Sequence, residues 1–591
     1  MTRPTVTIAR NSLASALVVG TVLAVDPAGW FAFTAVKWLV TTTLAAAVVA
    51  LTAWTGTWRR PDRRSAVLLA LFLGWLAVCA ALGADPRYAW LGTPERHAGW
   101  LLWIICGGLF LCAVPLRAIT DGLVVAGSVL APVLLIDAGG HPIVASGTQR
   151  LTGTFGSAAY LAAACTLIAP VALGVALDAE LTRWRRVLGW VAAAGGLFGI
   201  VGSGTRGAWV AGIIIAFGCT WKWRRSRVTA TVIAGAAIVI VVAALLTPVG
   251  RRIGDIGDRD AGGGVSRLDE WRVAAAVIAE HPIVGSGPEG YRINFRDGVD
   301  AAYERAHGRD PQPDRAHNGL LDTAAVGGVP AAALLLALVV VVSITIRRRV
   351  AGLVNPSATG AAIGLAAYVL QQQFLFPLAE LEPIVWMLAG AVAIPSDGRT
   401  AVHRQRIAPA RIGVVTCSML ALAAAWWGTR DVLADRAAAR AIAATDRTIA
   451  VDEARKAVAL RGDEVRLQLL LARVSADPAE QRSAFAAASE WSPDDPILLV
   501  RHAEFLAATD PAAAILRLQL LLGRDPDNAT LHALLGTADA RTGDAAGAER
   551  EWLRALDLAP DSTGPRANLI TLYRQQGRDT EANQLEDVGN R

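Results

Sequence analysis

The chain is assembled from apolar stretches of bilayer-spanning length, and that repetition limits what it can fold into. About thirteen of them occupy residues 10–26, 33–55, 65–83, 98–116, 121–138, 158–178, 187–204, 207–222, 228–248, 319–346, 358–376, 383–396 and 412–428. Most are near the roughly 17–25 residues an α-helix needs to cross a membrane. Backbone in lipid must satisfy its own hydrogen bonds, so helices are the expected answer. Hydrophobic residues make up 54% of the 591, and mean hydropathy is +0.42. These values exclude a soluble globular protein. The first apolar stretch leads straight into the next, so no cleavable signal peptide is expected.

Arginine sets the expected orientation. Arg59-Arg60 with Arg63-Arg64, Arg183-Trp184-Arg185-Arg186, Lys222-Trp223-Arg224-Arg225, Arg347-Arg348-Arg349 and the stretch 399–411 fall on alternate loops. Arg3 and Arg10 agree with them. Basic loops stay in the cytoplasm. A multi-pass protein of the plasma membrane is expected, with a cytoplasmic N-terminus. The net charge of +6 resides mostly in these anchors, so it does not argue for nucleic acid. All six cysteines lie inside apolar stretches without metal-ligand spacing. Buried apolar roles are expected for them, with no disulfide and no metal site.

Composition changes after Gly428. Charged residues become frequent, and a 34-residue period appears: Leu535, Gly543 and Ala548 recur as Leu569, Gly577 and Ala582. The pattern resembles the tetratricopeptide repeat. About three to four helix pairs are expected to stack into a short solenoid, because each needs a neighbour to bury its apolar face. The fold class expected is therefore all-α. Residues 1–428 form a polytopic membrane bundle, and residues 429–591 form a soluble, extracytoplasmic repeat domain. The repeats either bind a protein partner or cap the loops beneath them.

Between the ninth and tenth apolar stretches lies a long polar loop, 250–316, expected on the outer face. It closes on Asp314-Arg315-Ala316-His317-Asn318. Other outer loops carry arginine at helix edges: Arg96, Arg150 and Arg206. Cations gathered there run against the positive-inside bias. Arg206 sits between two apolar spans, where an unpaired guanidinium costs a few kcal/mol. It either snorkels to the headgroups or clamps an anion, for which its planar, permanently charged fork is suited. Arg267 follows Ser266, an expected N-cap. It either pairs with Asp269 or Glu270 or joins the helix amides around a phosphate. Leu268, Trp271, Ala275 and Ile278 predict an amphipathic helix over 267–280 lying on the membrane. His281 reads as structural, beside helix-ending turns. His317 stands where the loop re-enters the membrane. It serves either as a helix cap or, beside arginines, as a base near neutral pH.

Taken together, these pieces resemble the O-antigen ligase and polymerase superfamily of membrane glycosyltransferases. The matching elements run in order: Lys37, Gly92-Thr93-Pro94-Glu95-Arg96, Gly153-Thr154-Phe155-Gly156, Ser203-Gly204-Thr205-Arg206-Gly207, His281-Pro282-Ile283-Val284-Gly285, His317-Asn318-Gly319-Leu320-Leu321 and Gln371-Gln372-Gln373-Phe374. The family usually has Asn-Pro after the Gly-Thr-Phe-Gly element, where this chain has Ser157-Ala158-Ala159. The resemblance implies transfer of a glycan from a polyprenyl diphosphate carrier to an acceptor hydroxyl on a glycan, lipid or protein, without metal, nucleotide sugar or other cofactor. Ligase, polymerase and protein O-oligosaccharyltransferase roles stay open within it. It implies that Arg206 and Arg267 neutralise the leaving diphosphate and that His317 serves the acceptor. Arg150, Arg96, Arg315 and Asn318 are the further substrate-contact candidates. Outside this family, a transporter of lipid-linked glycans would place charges near the bilayer midplane and show repeated halves. A membrane-anchored scaffold would have no use for the arginine and histidine set.

Overall fold

The structure, a computed structural model, describes residues 3–145, 150–223, 267–309, 312–351, 355–394 and 407–589. Among these residues the fold is all-α. Six helices are long and apolar enough to cross a membrane: Thr5–Leu23, Ala35–Thr55, Arg63–Leu82, Leu116–Ala138, Ala158–Leu177 and Gly319–Ala351. The protein is thus a multi-pass membrane protein. The span expected at 228–248, residues 250–266 of the polar loop and the N-cap expected at Ser266 lie outside the described residues.

Two expected spans come out differently. Stretches 98–116 and 383–396 contain helices of 12 residues, Trp100–Leu111 and Glu382–Ala393. At 1.5 Å per residue each is about 18 Å long, short of the roughly 30 Å hydrocarbon core. Each is preceded by largely buried non-helical backbone, 92–99 and 375–381. Such backbone is tolerated at membrane depth only where protein surrounds it. The two half-length helices lie side by side. Trp386 packs against Trp103 and Phe110. A methyl group on Gly390 would come within 2.1 Å of the Phe110 carbonyl oxygen, so the backbones nearly touch.

The two ends of the bundle differ in chemistry. At one end, Arg59 donates to the carbonyls of Cys112, Val114 and Ile394. Arg349 donates to Val392 nearby. These side chains close helix C-termini, where exposed carbonyls favour cations. The opposite end carries residues 267–309 and 312–318, which form a lid.

Within the lid, helix Arg267–Glu280 buries Glu270, Val273, Ala274 and Val277. They pack with Tyr291, Phe295, Tyr303, Ala316, Ala325 and Val326. The stripe expected to face the membrane lies on the opposite side: Leu268 is 70% exposed and Ala275 is exposed. Aromatic partners inside the protein hold the buried face. The lid is pinned at a kink in Gly319–Ala351, where Gly328 has φ +69°. There Ser286 N–H donates to Ala325 and Val329 N–H to Pro282, at 2.8 and 2.9 Å. A Cβ on Gly328 would sit 1.9 Å from the Ile283 carbonyl oxygen, so only glycine fits this approach.

After the membrane part, helix Ile407–Ala443 runs unbroken for 37 residues through Gly428. Nine shorter helices follow, from Arg447–Leu460 to Asp579–Gly589. The 34-residue spacing has a structural counterpart. Leu535, Leu569, Ala548 and Ala582 are all buried, and Gly543 and Gly577 both have positive φ between helices. This helical layer rests on the lid end of the bundle. Arg292 of the lid is clamped between Asp85 and Asp495. Arg309 joins Glu304 of the lid to Asp525. Arg436 grips Asp26 with two bonds, 2.8 and 3.1 Å.

Candidate functional site

The lid re-enters the bundle through Asp314-Arg315-Ala316-His317-Asn318, and each side chain there has an assigned task. Asn318 caps the following helix. Its Oδ1 accepts from the amides of Leu320 and Leu321, both at 3.0 Å. Its Nδ2 donates to the carbonyl of Gln373 at 3.0 Å. Arg315 is buried between Glu289, at 2.7 Å, and Asp322, at 3.6 Å. Asp314 binds Arg96 through both oxygens, at 2.5 and 3.0 Å. Burial pushes the Asp314 carboxyl up, but the Arg96 guanidinium outweighs it and holds the group below the usual carboxylate range.

His317 lies between these anchors with φ +50°. A left-handed backbone at a non-glycine residue stores strain, which persists only where the surroundings over-determine it. Three non-glycine residues have positive φ among the described residues: His97, Glu289 and His317. Glu289 accepts from the Ala98 amide at 2.8 Å and from Arg315 at 2.7 Å, so it ties the strained segments together. The imidazole of His317 meets the Phe376 ring edge-on, with centroids 5.4 Å apart. Its Nδ1 stands 3.1 Å from Oε2 of Glu270, too oblique for a well-formed hydrogen bond. The same Oε2 is paired with Arg267.

Of the expected site residues, His317 and Arg267 are brought together through Glu270. Arg206 is exposed at the start of helix Arg206–Trp223. It reaches the same neighbourhood through segment 372–376: Gly207 packs against the Phe374 side chain, while Asn318 bonds the next residue back, Gln373. Arg150 braces the turn before Arg206. It donates to the Ser203 carbonyl at 2.6 Å and to the Thr205 hydroxyl at 3.0 Å. Arg96 is engaged with Asp314 and lies over the Phe376 ring at 5.0 Å. Thus Arg96, Arg150, Arg315 and Asn318 act as braces around His317, Arg206 and Arg267. His281 faces Asp297 at 3.3 Å on the lid surface, a structural position. No cluster of three or more metal-ligating side chains occurs among the described residues.

Several further residues build this end, and of these the sequence reading passed over Glu289. Glu289 sits in Gly287-Pro288-Glu289-Gly290, where an acid inside a glycine-rich turn was the available signal. Lys37 is almost wholly buried and donates to the carbonyls of Thr21 and Val22 at 2.8 and 2.9 Å. It lines a small cavity with His97 and Glu380. His97 stacks flat on Trp38, with centroids 4.8 Å apart. Gln371 and Gln372 are buried, with side-chain amides that have no partner among the described residues. Polar groups in such a setting are costly unless something meets them.

The arrangement provides an imidazole, two exposed guanidinium groups and a buried carboxylate, all at the end of a membrane bundle and under a lid. Residues 191–336 match the family model described as O-antigen ligase. The matched stretch contains Arg206, Arg267, Glu270, Arg315, His317 and Asn318. A comparison with curated proteins finds no match. The family match supports a membrane glycan-transfer function in surface polysaccharide assembly, with a lipid-linked glycan donor. The match agrees with the resemblance carried by the motifs: residues 191–336 are similar to the O-antigen ligase family.

Proposed function

We propose that this protein transfers a glycan from a polyprenyl diphosphate carrier to an acceptor hydroxyl at the outer face of the plasma membrane. The observation that carries this reading is the placing of His317. It is held on strained backbone where the lid meets the bundle, beside Arg267 and above the segment that seats the Arg206 turn. In the reaction, a nitrogen of His317 takes the hydroxyl proton as the acceptor oxygen attacks the anomeric carbon. The bond from that carbon to the diphosphate oxygen breaks. The diphosphate leaves with the electron pair, and Arg206 and Arg267 meet the charge that develops on it. Fixed cations act most strongly on charge that appears only in the transition state. In this reading they supply the positive charge without a metal ion.

The positive-inside rule orients the site. Arg59 and Arg349 mark the cytoplasmic end, so the lid and the helical repeats of residues 429–591 face outward. The membrane part, residues 1–428, holds the chemistry. The ion pairs that Arg292 and Arg309 make across the boundary support a capping role for the repeats.

The test is glycan transfer by purified protein in lipid nanodiscs. Substituting His317→Ala should lower turnover by about 10²–10⁴-fold, the usual range for a general base. Arg206→Ala should lower it by about 10²–10³-fold, the cost of losing one charge-stabilising donor. Transfer should persist with a chelator. Undiminished product from both variants would refute the assignment, and loss on chelation reversed by metal would refute the metal-free step.

A further inference from the structure

One carboxylate oxygen serves two members of the proposed site. Oε2 of Glu270 is paired with Arg267 three residues before it and stands 3.1 Å from Nδ1 of His317. The three side chains differ in freedom. Glu270 is 7% exposed, its helix locked into the lid core by Val273 and Val277. His317 is 21% exposed, and Arg267 is 49% exposed at the helix start. The carboxylate is therefore the fixed point, and the arginine is the partner that can leave. While Arg267 occupies Oε2, the imidazole approaches it obliquely. In this arrangement Oε2 is bonded to Arg267 and not to His317.

We propose that Glu270 is a positioning residue that passes from Arg267 to His317 when the donor diphosphate takes up the arginine, so that the base is strengthened only once donor is bound. The inference rests on the reading of Arg267 and His317 given above. A phosphate oxygen offers Arg267 a partner of higher charge than a shared carboxylate. Once released, Oε2 lines up with Nδ1–H and stabilises the imidazolium that forms when the ring takes the acceptor proton. The carboxylate itself stays ionised throughout. Burial pushes the Glu270 carboxyl up, yet the nearby His317 ring and the Arg267 guanidinium outweigh this and hold it below the usual range.

Other charges face His317 as well. Asp314 and Arg315 flank it in the chain, and Arg96 holds Asp314 from the 92–99 loop. Asp322 approaches from the first turn of Gly319–Ala351, where it meets Arg315. On the lid helix, Asp269 is engaged by His307 at 2.9 Å. Each of these carboxylates already has a partner of its own. Among these charges, only Glu270 has a cation whose removal the donor would cause.

The test needs neither the acceptor nor the glycan. Diethyl pyrocarbonate labels neutral imidazole, and mass spectrometry of the full-length protein in nanodiscs reads its rate at His317 against pH. The probe is glycan-free polyprenyl diphosphate, added or withheld, with its binding followed in parallel. In the native protein, the pH of half-maximal labelling should rise by about one unit when the lipid binds, a tenfold change in proton affinity. In Glu270→Gln, which keeps size and shape, the midpoint should start lower and rise by less than half as much. In Arg267→Gln, it should already be high without lipid. An equal lipid-induced rise in native and Glu270→Gln protein overturns the proposal while leaving the site reading intact. Failure of the lipid to bind the native protein overturns both.

Discussion

Replacing Glu289 with glutamine tests whether the strained cluster depends on a buried charge. Glu289 and Arg315 are 3% and 4% exposed at their side chains. In Glu289→Gln the amide oxygen can still accept from Ala98. Arg315 loses its 2.7 Å partner and keeps only Asp322 at 3.6 Å. Removing one member of a buried pair costs about 3–5 kcal/mol, because the other charge stays buried. Asp322 remains, so the low end applies, about 3 kcal/mol. That corresponds to roughly a hundredfold rise in the population of locally opened forms. Hydrogen exchange across 93–99 and 312–320 should quicken by that factor in nanodiscs, while the helices beyond Arg447 stay protected. Arg305→Ala provides the contrast. Its pair with Asp557 is 44% and 51% exposed, and such surface pairs contribute about 0–1 kcal/mol. Unchanged exchange in Glu289→Gln, or equal loosening in Arg305→Ala, would refute the reasoning.

Two further outcomes follow from the contact between lid and repeats and from the repeats themselves. Arg292→Ala should free the repeat layer, since Asp85 is left buried without its cation and Asp495 loses its link to the lid. Faster protease cleavage near residues 443–447 would show it, and native resistance would count against a clamp. His502 stacks on Phe485 at 4.8 Å, and burial, aided by Arg517, pushes its pKa down to about 4. The unfolded chain takes up this proton near pH 6.5. The stability contributed is therefore complete above pH 6.5 and is lost as pH falls toward 4. Protection of helix Pro496–Thr509, corrected for intrinsic exchange, should decline over that window, and His502→Phe should flatten it.

The long helices were legible because lipid enforces one pattern over some twenty residues. The half-length helices were not, because hydropathy cannot separate helix from buried coil. Trp100–Leu111 runs into Cys112-Ala113-Val114-Pro115, a following loop that is apolar too. The lid helix was legible in extent, and Leu268 and Ala275 fall on its exposed side. Its protein-facing side was not, because the partners of Val273 and Val277, among them Tyr291, Phe295 and Tyr303, lie on other elements of the lid. Arg267 with Glu270 could be read as a local pair, being three residues apart. The link from Glu270 to His317 spans 47 positions, and that from Ala98 to Glu289 spans 191. No local pattern encodes such distances. The bracing roles of Arg96, Arg150, Arg315 and Asn318 were hidden for the same reason. A sequence shows that a charge is out of place but not which neighbour satisfies it.

Helix Ile407–Ala443 gives the molecule a property of its own. Thirty-seven residues make a rod about 55 Å long. It packs along Ala35–Thr55 at one end and carries Asp435 to the Phe31 amide and Arg436 to Asp26 at the other. A rod of this kind transmits rotation. Inserting a single residue after Gly428 would advance everything beyond it by about 1.5 Å and turn it by about 100°. Asp435 and Arg436 would swing away from their partners, and the layer over the lid would be aimed elsewhere. Helical phase across this segment is thus part of the design, and natural variation in its length should come in steps close to whole turns.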